Sequence, residues 1–100
     1  MLNKEQIIEK IKEELPYLKK QYGIKKIGLF GSFANGTQKE DSDIDIVIEF
    51  EKPIGLAFMD LAEYLEKLFS KRVDILTPEG IKSIRVEEIA QEINKSVVYV

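Results

Sequence analysis

Three aspartates, Asp41, Asp43 and Asp45, fall within five residues, directly before the apolar run "IVIEF". Asp43 and Asp45 are two apart in a segment patterned as a strand, so both carboxylates leave one face, their Cα atoms roughly 6–7 Å apart. Carboxylates that close repel unless they are protonated or share a cation. The chain has no histidine and no cysteine, which leaves carboxylates alone to ligate metal or accept a proton. That donor set suits a hard, oxygen-seeking ion, Mg²⁺ or Mn²⁺. Asp74 lies in "RVDIL", a second apolar strand pattern interrupted by one aspartate. Aspartate is disfavoured inside strands, so Asp74 is the expected third ligand if the two strands are neighbours. Gly31-Ser32 follows the apolar run "KKIGLF". A glycine there lets backbone approach a ligand closely, and the amides with the Ser32 hydroxyl can hold phosphate oxygens. Strand, Gly-Ser, ten residues from Phe33 to Ser42, Asp-x-Asp, then a further strand aspartate: this order suits two-metal phosphoryl or nucleotidyl transfer, in which ions ~3.5–4 Å apart clamp the attacking and leaving oxygens.

Plainer roles compete for several of these residues. Asp41 reads best as a solvated loop charge, and Asp43 taken alone as a turn or helix cap. Ser32 is about equally suited to capping a helical turn that starts near Phe33. Glu49 shares the acidic face but is better matched to a lysine than to metal. Lys39, Lys71, Lys82 and Arg85 read as surface charges, and no spacing singles out one of them to meet a triphosphate. Tyr64 and Phe58 read as core or partner surface rather than as base-stacking platforms.

The elements that must position this chemistry follow from periodicity. Asn3 with Gln6 forms a capping box, and Ile7, Ile8, Ile11, Leu15, Leu18 and Tyr22 recur at helical steps. Pro16 should kink that helix or begin a second one, and Gly23 ends it. Strands are expected over Ile24 to Phe30, Ile44 to Phe50 and Arg72 to Leu76. On the second, Ile44, Ile46, Ile48 and Phe50 make an apolar face, while Asp43, Asp45, Val47 and Glu49 share the other. "IGLAFMDLAEYLEKLF" reads as a helix with the stripe Leu56, Met59, Leu61, Leu65, Leu68 and Phe69. "PEG" should break the chain before a last helix from about Ile81 to Ile93, and "SVVYV" should close it as a short strand, able to pair with its own sheet or with another chain. The fold class is therefore α/β (α+β), a small mixed β-sheet covered by helices.

The sequence has 100 residues, 33% of them charged and 44% hydrophobic, with a formal charge of −3. This size suits one domain over residues 1–100. The negative balance argues against direct nucleic-acid binding. No run approaches the ~18 apolar residues of a membrane span, the charged amphipathic N-terminus is no signal peptide, and the lack of cysteine fits the cytoplasm.

"GLFGSFANGTQKEDSDIDIVIEF" resembles the signature of the minimal nucleotidyltransferases, a branch of the DNA polymerase beta superfamily: an apolar strand, Gly-Ser-x-Ala-Arg-Gly, a polar loop, then Ser-Asp-x-Asp. The likeness extends to the leading helix ending "YGIKKIGLFGS", to "RVDIL" and to the terminal "VVYV". It implies a polymerase beta palm-like fold, Asp43 and Asp45 as ligands of two Mg²⁺ ions, Asp74 as the third carboxylate that helps activate an acceptor hydroxyl, and Gly31 and Ser32 as the triphosphate cradle. It further implies attack on the α-phosphate of a nucleoside triphosphate, ATP above all, with release of pyrophosphate. Stand-alone members typically partner a HEPN-type toxin as its antitoxin, and members can transfer AMP to a tyrosine of that toxin. Asn35 stands where the family usually has arginine, which bears on triphosphate or partner binding. Two other readings stay open: a non-catalytic module that blocks a toxin sterically, and a small-molecule nucleotidyltransferase of the aminoglycoside-modifying kind.

Overall fold

A computed structural model describes residues 2–82, 93 and 97–100. The chain opens with α1 (Lys4–Tyr22), begun by the expected capping box: Asn3 Oδ1 accepts from Gln6 N–H at 2.9 Å, and Gln6 Oε1 accepts from Asn3 N–H at 3.0 Å. Ile7, Ile11, Leu18 and Tyr22 are buried, with Ile8 and Leu15 packed beside them. No second helix begins at Pro16; α1 runs through it. Pro16 and Lys12, whose carbonyl Pro16 cannot pair with, both lie on the exposed side, where water can satisfy the carbonyl. Gly23, at φ 65°, caps the end.

Two strands then pair antiparallel, β1 (Ile24–Phe30) and β2 (Ile44–Phe50), joined by the short α2 (Gly31–Asn35) and a polar loop. Ser32 does not cap α2: the N-cap is the extended Phe30, without a side-chain bond. The glycine turn brings the helix in two residues earlier than a serine cap would. After β2 comes α3 (Ala57–Phe69), then β3 (Val73–Leu76), parallel to β2. The expected α3 stripe is corrected at its start, because Leu56 and Met59 are 85% and 67% exposed. The buried ridge is Leu61, Leu65 and Phe69, and a residue two before Leu61 points to the opposite side of a helix with 3.6 residues per turn.

"PEG" does not break the chain. It opens α4 (Pro78–Lys82), with Pro78 in the first turn and Thr77 Oγ1 accepting from Gly80 N–H at 3.1 Å, a favourable helix start. The remainder of the helix expected to Ile93, from 83 to 92 and including Arg85, lies outside the described residues. Strand β4 (Val98–Tyr99) pairs antiparallel with β1, so "VVYV" joins its own sheet. The mixed sheet has the order β3-β2-β1-β4.

One face of the sheet carries Ile27, Leu29, Ile44, Ile46, Ile48 and Val73 against α1 and α3. The opposite face is acidic only at its end. Farther along, Phe30, Val47 and Ile81 form a second apolar cluster with Leu76, Ile93 and Val97.

Candidate active site at the ends of three strands

Strand register brings the distant aspartates together. Asp45 on β2 pairs with Phe30 on one side and with Asp74 on the other. Directly paired residues point to one face of a sheet, so Asp45 and Asp74 share the face opposite the main core. Asp43 stands one residue before β2, on the same parity. Asp45 is half-buried and Asp74 exposed. Burial pushes the Asp45 carboxyl up to about 6, and the nearby carboxylates of Asp74 and then Asp43 push it the same way. Such crowding is what a bound cation would relieve.

Gly31 stands against this cluster. Its φ is +75°, a backbone region that side chains rarely adopt, and a Cβ built there would collide with the Asp45 carboxylate. The turn thus lies directly against Asp45, at a distance that only glycine allows. Among the described residues no hydrogen bond engages the Ser32 hydroxyl, which is half-buried in the first turn of α2. Asn35 is exposed at the other end of α2.

The loop leading to Asp43 is held at both ends. Lys39 N–H donates to Ser42 Oγ at 2.8 Å and Ser42 N–H returns a bond to the Lys39 carbonyl at 3.0 Å. Lys71 Nζ donates to the Glu40 carbonyl at 2.7 Å and lies 6.0 Å from the centroid of the Phe33 ring. Lys71 therefore ties α2, this loop and the turn into β3 together. Its sequence setting, a lysine beside an arginine in a polar turn, carries no such signal. Glu49 pairs weakly with Lys25, N···O 3.8 Å, and Asp41 is an exposed loop charge. The Phe58 and Tyr64 rings contact Phe50 and Tyr17 respectively.

Among the described residues no three acidic side chains are grouped closely enough to hold a metal ion by themselves. The donor set still fits Mg²⁺, which is held by one or two carboxylates and completes its octahedron with water and substrate phosphates. Asp43, Asp45 and Asp74 supply oxygen donors on one face, and the missing side chain of Gly31 lets the turn approach the Asp45 carboxylate closely.

Comparison with known proteins identifies the family and the fold. A family profile described as nucleotidyltransferase domain matches residues 5–99. Protein adenylyltransferase MntA of Thermococcus cleftensis is 41% identical over 101 residues, spanning 100% of this chain and 98% of that protein. The solved structure of a proposed minimal nucleotidyltransferase superposes with a TM-score of 0.73 at 26% identity, covering 97% of this chain and 95% of the other. A toxin–antitoxin crystal structure with AMP-PNP superposes at 0.63 and 26% identity, over 98% of this chain and 72% of that one.

Proposed function

The chain belongs to the nucleotidyltransferase domain family and is a nucleotidyltransferase, and from that premise we propose that it moves AMP from ATP to a hydroxyl of a partner protein, a HEPN-type toxin that it neutralises as antitoxin. The Asp45–Asp74 register beneath the Gly31 turn carries this reading. The names of the relatives support the protein acceptor and the toxin. Residues 1–100 act as one unit in this reading, in the cytoplasm where ATP is made, and no described helix is long and apolar enough to cross a membrane.

In the proposed chemistry the Gly31-Ser32 amides and hydroxyl hold phosphate oxygens of the triphosphate over Asp45. Asp43, Asp45 and Asp74 would hold two Mg²⁺ ions (Mn²⁺ as substitute), which when bound supply the positive charge that carboxylates and phosphates share. The acceptor oxygen forms a bond to the α-phosphorus while the bond from that phosphorus to the bridging oxygen breaks, releasing pyrophosphate. Asp74, exposed and beside Asp45, takes the acceptor's proton.

The test uses Mg²⁺, α-labelled ATP and the product of the neighbouring gene as acceptor. Label should appear on that protein with the wild type and vanish with Asp43→Asn/Asp45→Asn. Neutralisation of the partner without label, equal in mutant and wild type, would instead establish the steric reading, which the neutral, exposed Asn35 in place of an arginine favours.

A further inference from the structure

We infer that the groove on the β3 side of Asp43 seats the acceptor, and that Arg72 binds an acidic side chain flanking the acceptor hydroxyl. This rests on the nucleotidyl-transfer reading above and adds the acceptor's route and charge. The groove, of about 510 Å³, is lined by Asp41, Ser42 and Asp43 from the loop before β2 and by Glu66, Lys71 and Arg72 from the end of α3 and the turn into β3. It shares Asp43 with the candidate metal site.

Sheet order decides what arrives there. Gly31 leaves β1 and Arg72 enters β3, with β2 and its aspartates between them. Ile44 N–H donates to the Arg72 carbonyl at 3.0 Å, which fixes Arg72 beside Asp43. Displacement at phosphorus runs in line, with attacking and leaving oxygens on opposite sides. If the leaving pyrophosphate sits toward Gly31-Ser32, the attacking hydroxyl comes from the β3 side, past Asp74 and along this groove.

The charges lining the groove are unequally committed. Lys71 is bonded to the Glu40 carbonyl, and Glu66 Oε2 accepts from Val73 N–H at 3.3 Å. Among the described residues the exposed Arg72 guanidinium makes neither an ion pair nor a hydrogen bond, although Asp43 is its neighbour. Guanidinium is permanently charged and presents a planar fork of donors matched to a carboxylate. With a net charge of −3 the protein repels a polyanion as a whole. Arg72, the cation of this groove whose donors are uncommitted among the described residues, instead suits a single carboxylate next to a hydroxyl-bearing residue.

The test uses two synthetic peptides, each with one serine and one tyrosine, flanked by glutamates in one and by lysines in the other. Transfer from labelled ATP with Mg²⁺ is measured alongside the Kd of a non-hydrolysable ATP analogue. The wild type should label the glutamate peptide with a KM about tenfold below that of the lysine peptide. Arg72→Gln should abolish that preference by raising the glutamate-peptide KM, with kcat and analogue Kd unchanged, and Arg72→Lys should restore part of it. A general folding defect would move all three quantities together. Equal use of the two peptides by the wild type overturns the inference, as does an Arg72→Gln effect on analogue Kd alone, which would assign Arg72 to the phosphates. Analogue binding with neither peptide labelled overturns the acceptor seat and leaves nucleotide binding standing. Failure of the wild type to bind the analogue overturns the nucleotidyl-transfer reading itself, and the inference with it.

Discussion

Gly31 and Asp45 constrain each other, and both can be tested singly. A methyl at position 31 meets the Asp45 carboxylate and must also adopt a φ of +75°. Gly31→Ala should therefore weaken binding of the ATP analogue at least tenfold by calorimetry and lower stability by about 1 kcal/mol or more in chemical denaturation. Asp45 behaves in the opposite sense. The fold raises its carboxyl to about 6, so the ionised form present at neutral pH is disfavoured by folding, and a neutral isostere removes that cost. Asp45→Asn should raise the melting temperature of the metal-free protein by a few degrees while abolishing transfer, ~1 kcal/mol corresponding to roughly 4–8 °C in a chain of this size. A lower melting temperature would contradict the crowding. Asp45 and Asp74 stood out in the sequence because an aspartate inside an apolar strand violates a propensity, and Asp43 stood out through its two-residue spacing from Asp45. Lys71 and Arg72 did not, because a charged residue in a polar turn looks the same whether it is free or holds another loop 31 positions away.

At the scale of elements, helix ends and strand alternation were readable and helix faces were less so. The Asn3–Gln6 box is local chemistry, and the structure forms both of its bonds. Asn3→Ala should cost about 1 kcal/mol, measured as a shift in the denaturation midpoint with unchanged slope. Pro16 stays inside α1 because its missing hydrogen bond falls on the solvent side, which depends on how the helix is docked. Leu56 and Met59 looked like core by their place in an apolar stripe yet are exposed, since the face of α3 is set by where Leu61, Leu65 and Phe69 are buried. "PEG" looked like a breaker, but proline with glycine two residues on is tolerated where a first helical turn is capped by Thr77.

For the molecule as a whole, the site exists only through sheet order. Strand β2 is central, flanked by β1, which leads into the Gly31 turn, and by β3, which carries Asp74. Ligand binding to this three-strand junction should stabilise the entire fold by mass action. Mg²⁺ with an ATP analogue at about a hundred times its Kd should add ~2.7 kcal/mol, read as a rise in melting temperature that Asp43→Asn reduces. The strands, the cap, the main apolar face and the three carboxylates are readable one segment at a time, because each is written in local spacing and side-chain chemistry. Long-range packing set the parallel pairing of β3 with β2, with Asp74 opposite Asp45, and put Val47 in a second apolar cluster instead of on a bare acidic face. It also decided that Arg72 stands beside Asp43. Register and strand order depend on which long-range pairs bury the most apolar surface together, and no single segment carries that information.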